Sequence, residues 1–208
     1  MKERKKVAIL TKSYKNKGYC VAGIDAETGE WIRLVSDDEE SHGSLFREHM
    51  SYEDGGECQV LDIVSVPVLG PDPGQYQPEN VMIDAERWWK KKGTISLDEV
   101  LELHPLEKHD CLLGNKYPYI TDAKIDTVGH SLILVKVSML VITRPEDRGP
   151  RASFRYRFDT YENMAVTDPD IYSVEDGTKY DSAVLVMSLP EVPYNDRYFN
   201  KFIAKIFL

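Results

Sequence analysis

The chain has 208 residues, 42% of them hydrophobic and 29% charged, which excludes wholesale disorder and leaves enough length for one large core or two small ones. Its net charge of −9 excludes a generic duplex-DNA binder, because non-specific affinity for a polyanion comes from Lys and Arg displacing counterions. Any nucleic-acid site must be a local basic patch on an acidic body.

Lys6–Ser36 holds three short apolar runs: Val7–Thr11, Tyr19–Asp25 and Trp31–Ser36. The polar, Gly-containing connections Lys15-Asn16-Lys17-Gly18 and Glu27-Thr28-Gly29-Glu30 separate them, a pattern that predicts a β-meander. Lys12, Lys15 and Lys17 surround Tyr14 in the first connection, and the third run carries Trp31 and Arg33. Such a cationic, aromatic edge on a small curved sheet suits an oligonucleotide, with the cations on phosphates and Tyr14 or Trp31 stacked on a base. The plainer alternative makes Trp31 a core anchor and the lysines turn solubilisers. An acidic run, Asp37–Glu40, follows the meander.

Val60–Leu69 predicts a further strand that reaches a sheet edge at Pro67, and the Pro- and Gly-rich Gly70–Asn80 predicts an extended loop. Asp84–Lys92 runs from acids to lysines, the charge order that complements a helix dipole. Ser96 and Glu99 have capping-box spacing and Pro105 supplies a stop, so a helical section is expected over about 84–104.

The second half returns to β texture. Leu132–Ile142 places Ile133, Val135, Val137, Met139 and Val141 on one face. In Arg151–Asp159, Ala152, Phe154, Tyr156 and Phe158 alternate with Ser153, Arg155, Arg157 and Asp159. Tyr161–Thr167, Ala183–Leu189 and Phe199–Leu208 complete the set, with a turn or short helix starting at Asp168-Pro169-Asp170. The expected fold is mostly β: two tandem OB-like β-barrels, at 1–80 and 126–208, joined by a helical connector at 81–125.

Arg144, Arg148, Arg151, Arg155 and Arg157 crowd into one stretch of this half, and guanidinium forks match phosphate geometry well. Pairing with Glu146, Asp147, Asp159 and Glu162 is the competing use of that charge. Thr167 and Asp168 fit a helix cap better than a ligand pocket. His104, His109 and Cys111 lack the paired short spacing of a zinc site, and Asp25 and Asp62 stand out little among abundant acids. No nucleophile elbow, phosphate-binding loop, zinc-protease helix or dinucleotide fingerprint occurs, so neither catalysis nor a cofactor or metal is expected. Cys20, Cys58 and Cys111 give no disulfide framework, no apolar stretch is long enough to span a bilayer, and the N-terminus lacks a secretory signal. A soluble cytoplasmic protein without a membrane partner is expected.

Several stretches together resemble the bacterial dual OB-containing domain family: Val7–Ser13, Gly18–Asp25, Glu30–Ser36, Leu61–Leu69, Tyr76–Asp84, Ala165–Pro169, Leu185–Glu191 and the tail Phe199–Phe207. They span nearly the whole chain, and their order rather than any single motif carries the likeness. The resemblance implies two tandem OB-like barrels and a nucleic-acid-binding role, in defence or other nucleic-acid-linked systems. The expected function is a non-enzymatic module for single-stranded DNA, RNA or a nucleotide-type ligand, held by the lysines, arginines, Tyr14 and Trp31 named above. A protein-interaction or scaffold module, using the acidic surface and the Gly70–Asn80 loop, is the alternative.

Overall fold

The computed structural model describes residues 3–15, 17–38 and 41–208. Asn16 of the first turn and Glu39 and Glu40 of the acidic run lie outside the described residues. The chain forms two compact units: Met1–Gly74 with Glu79–Pro105, and Gln75–Pro78 with Leu106–Leu208.

The first unit contains β1 (Arg4–Lys15), β2 (Gly18–Asp25), β3 (Trp31–Val35), β4 (Asp62–Pro71), β5 (Asn80–Ile83) and β6 (Lys90–Thr94). The strand order is β1-β2-β3-β5-β4, and β4 pairs back onto β1, which closes a ring; β6 adds to β4. All pairs are antiparallel except β3 with β5. Val7, Ile9, Val21, Ile32, Leu34, Val64, Val66, Val68 and Ile83 fill the interior, with Leu45, Met50 and Trp89 packed against them. The meander coils tightly where β1 bulges between Ile9 and Thr11. A Cβ on Gly23 would stand 2.0 Å from the carbonyl oxygen of Ala8, so only glycine permits that approach.

The second unit contains β7 (Tyr119–Thr121), β8 (Leu132–Thr143), β9 (Arg151–Tyr156), β10 (Asp159–Val166), β11 (Lys179–Ser188), β12 (Tyr198–Asn200) and β13 (Phe202–Phe207). The strands β10-β13-β11-β8-β9 form a closed barrel, and β7 and β12 form a separate two-stranded sheet. Counted along the chain, the barrel strands follow the order first-second-third-fifth-fourth, with the third and fifth parallel. The first ring has the same order and the same single parallel pair. The doubled OB-like β architecture expected from the sequence is therefore the one observed. In each ring a short 3-10 helix lies between the third and fourth strands, at Arg47–Met50 and Pro169–Ser173. Asp168 caps the second of these and accepts bonds from the amides of Asp170 and Ile206.

Inside the second barrel, Phe154 and Tyr161 stack 5.3 Å apart and nearly parallel. The hydroxyls of Tyr156 and Tyr161 accept the amides of His109 and Leu112, which ties the 109–112 segment to the barrel wall. The short stretch Gln75–Pro78 belongs here because Glu191 accepts the amides of Gln75 and Tyr76, and the Tyr76 ring packs edge-on to Phe199.

Four local expectations need correction. Pro67 does not mark a sheet edge: it lies opposite Arg4 of β1, and its carbonyl oxygen accepts the Asp84 amide. Residues 84–92 are a turn followed by the start of β6, not a helix. Trp89 is fully buried and bridges to Tyr52, and burial of that ring outweighs a favourable charge order. The helix is α1, Leu97–Leu103, and it carries the expected capping box: Ser96 Oγ accepts the Glu99 amide and Glu99 Oε2 accepts the Ser96 amide. In β8, Met139 adopts a positive φ within a bulge, which reverses the alternation beyond it. Met139 is thus 60% exposed, and Leu140 and Ile142 face inward in place of Met139 and Val141. Finally, β9 ends at Tyr156, and Arg157-Phe158 is the hairpin turn, which leaves Phe158 92% exposed.

Candidate nucleic-acid interface

The two patches expected from the sequence fare differently. In the first unit, Lys12 Nζ meets Glu57 Oε1 at 2.5 Å and Cys58 O at 2.9 Å and lies over the Tyr19 ring. Lys15 Nζ donates to His42 O at 2.7 Å. Tyr14 is 45% exposed and stacks on Tyr19, and Lys17 is exposed. Trp31 packs edge-on to His104 at 5.1 Å.

Arg33 is turned inward, which removes the expected phosphate contact. It is 2% exposed, with Nε 3.0 Å from Glu79 Oε1 and Nη1 2.8 Å from Cys20 Sγ. Its amide also donates to Glu79 O, so the residue ties β3 to the chain entering β5, at the single parallel pair of the ring. The cations of this edge are mostly occupied by their own fold.

The second unit differs. Arg144 and Arg148 lie on the connection between its first two barrel strands, and Arg151 begins β9. Arg155 projects from the exposed face of β9; its guanidinium lies 4.0 Å from Met139 Sδ and has no carboxylate partner among the described residues. Arg144 likewise forms no ion pair among them, donating instead to Val174 O at 3.4 Å. Arg148 pairs with its exposed neighbour Asp147, a contact of little strength in water. Burial and the nearby Arg148 lower the pKa of Arg151.

Arg157 does not share a strand face with Arg155 as two-residue alternation implied. It is the first turn residue, with φ of 54°, and pairs with Asp110 at 2.9 Å. OB barrels hold oligonucleotides on the second and third strands and on the first–second and fourth–fifth connections. In this ring those are β9, β10, the 144–150 connection and the 189–201 connection.

The 189–201 connection holds residues that sequence reasoning passed over. Tyr119 and Tyr198 sit on the outer face of the β7–β12 sheet, rings 5.0 Å apart, while Ile120 and Phe199 face inward. Tyr117 extends the row from Tyr119 at 6.5 Å, and Tyr194 extends it from Tyr198 at 5.6 Å. The spacings Tyr-Pro-Tyr and Tyr-Asn-Asp-Arg-Tyr are the signal available in the sequence, but nothing local says that the two segments pair.

Among the described residues no group of three or more His, Cys, Asp or Glu is placed to hold a metal ion. His104 Nδ1 lies 2.8 Å from Gly29 O in the first unit; His109 stacks on His130 and meets Glu107 in the second. Asp62 accepts the Tyr52 hydroxyl and pairs with Lys91, and Asp25 pairs with Lys5. Cys58 is buried, its pKa pushed up to about 12 by desolvation, which makes it a poor nucleophile. Among the described residues no helix is long and apolar enough to cross a membrane.

No curated protein matches the chain. A family model for the dual OB-containing domain matches residues 5–206. With that match covering both rings and both rings sharing one strand order, the chain belongs to the dual OB-containing domain family.

Proposed function

We propose that the protein is a non-enzymatic module that binds single-stranded nucleic acid through the outer face of its second barrel. The observation that carries this reading is Arg155: a guanidinium on the second barrel strand, exposed, without a carboxylate partner among the described residues and flanked by exposed Met139. The same hairpin ends in Phe158, whose ring is almost wholly in water. An uncompensated cation beside exposed apolar groups suits a phosphodiester backbone with unpaired bases. Arg144 and Arg148 on the adjoining connection supply further cationic contacts. The first barrel, where Lys12, Lys15 and Arg33 are engaged by the fold itself, serves as the supporting unit.

The test is fluorescence anisotropy of labelled single-stranded DNA and RNA at low salt, with wild type and the Arg144→Glu/Arg155→Glu double variant. Both positions are exposed, so the fold, followed by circular dichroism, should persist while affinity falls at least about tenfold. Equal binding by wild type and variant would move the site elsewhere. A wild type that retains no oligonucleotide would leave the protein-interaction alternative in its place.

A further inference from the structure

We infer that Tyr117, Tyr119, Tyr198 and Tyr194 form a rail on which unpaired nucleobases stack, an inference that rests on the nucleic-acid reading of the second barrel. Strand alternation builds the rail. Phe199 and Ile120 are directly paired and buried, so the diagonal neighbours Tyr119 and Tyr198 must point outward. Asn195 and Asp196 both take positive φ and fold the chain back, and the amide of Tyr194 donates to Tyr198 O, which stands Tyr194 beside Tyr198. Tyr117, Tyr119 and Tyr194 remain 58%, 41% and 54% exposed. Apolar side chains scattered singly over a surface need no explanation, but a contiguous row of flat rings does.

The row is also held rigid from beneath. Lys201 is fully buried, and its ammonium donates to Leu112 O, Asn115 O and Asn115 Oδ1 at 2.8, 2.6 and 2.8 Å. Asn115 in turn accepts the Tyr117 amide through Oδ1 and donates through Nδ2 to Tyr119 O. The amide of Lys201 donates to Pro118 O. The enclosed Lys201 side chain therefore fixes the backbone that carries half of the rail, a placement that lowers the ordering cost of binding.

The chemistry names the ligand class. Exposed Lys116 and Arg197 flank the rings, neither with a carboxylate partner among the described residues, and both suit phosphates; Asp196 at the turn tip and exposed Asp122, whose amide donates to Arg197 O, are opposing charges. Tyrosine faces take any base, since every base has a π-face, but only one that is not already stacked in a duplex. The rail therefore selects single strands over duplexes with little preference for sequence.

The test compares oligothymidylate with an abasic strand of the same length and charge, by anisotropy, on wild type, Tyr117→Ala, Tyr194→Ala and the corresponding Phe variants. These two tyrosines are the most exposed of the four, so their truncation spares the core. The expectation is that wild type binds oligothymidylate about tenfold or more tighter than the abasic strand. Each Ala variant should lose most of that advantage, each Phe variant should keep it, and binding of the abasic strand should not change. Equal affinity of wild type for both strands, or Ala variants that weaken both equally, overturns the rail and leaves phosphate binding intact. Failure of wild type to bind either strand overturns the nucleic-acid reading itself, and the rail with it.

Discussion

Lys201 places an ammonium where no water reaches it, against three oxygens and no carboxylate. Burial pulls its pKa down to about 7, whereas an unfolded lysine keeps its proton to about 10.4. Below pH 7 both states hold the proton and the lysine contributes no pH dependence. Between those two values the unfolded state binds the extra proton, so folding stability rises with pH, by at most about 1.4 kcal/mol per pH unit. Lys201→Met should abolish that rise. Urea unfolding followed by far-ultraviolet circular dichroism at pH 7 and pH 9 checks it: the stability difference between wild type and variant should shift in favour of wild type at the higher pH. An unchanged difference would mean that the lysine keeps its proton throughout. Nothing in the sequence marks this residue, because the oxygens that surround it come from Leu112 and Asn115, far away in the chain. Arg33 was opaque for the same reason: its partner Glu79 is 46 residues away, and only the parallel pairing of β3 with β5 brings the two together.

At the level of elements, alternation and turn chemistry were legible wherever a strand was long or clearly two-faced. The meander, β4, β8, β9, β10 and β11 could each be read in this way. β5 escaped notice because its four residues are too few to show a period, and β6, Lys-Lys-Lys-Gly-Thr, because its polarity hides a strand stabilised by pairing with β4. The bulge at Met139 was invisible because a positive φ at a non-glycine residue has no compositional sign. The parallel β3–β5 seam of the first ring carries the buried Arg33–Glu79 pair, with side chains 3% and 8% exposed. Arg33→Ala would remove the cation that the buried Glu79 carboxylate pairs with, at a cost of about 3–5 kcal/mol. Trp31, Trp88 and Trp89 all lie in the first unit, so tryptophan fluorescence during denaturant unfolding reports this loss. A cost below about 1 kcal/mol would mean the pair behaves as an exposed one.

For the whole molecule, the doubled ring was readable from strand spacing and family resemblance together, whereas the residues of the proposed site were readable only in outline. The arginine cluster pointed to the second barrel, but Arg157 turned away and the tyrosine row went unseen, since both outcomes depend on turns and cross-strand pairing. A chain of net charge −9 gains nothing from long-range attraction to nucleic acid, so the proposed binding requires the local guanidinium groups to supply its electrostatic part. The salt dependence of single-strand binding, measured between about 50 and about 200 mM with wild type and Arg155→Glu, tests this most directly. Each neutralised phosphate contributes about −0.7 to the slope of log K against log salt, so Arg144, Arg148 and Arg155 account for about −2 and the rail cations Lys116 and Arg197 steepen it to about −3.5 for wild type, with a shallower slope once Arg155 is reversed. A flat salt profile, or a slope that the variant leaves unchanged, would contradict the claim that this face of the second barrel holds the phosphate backbone.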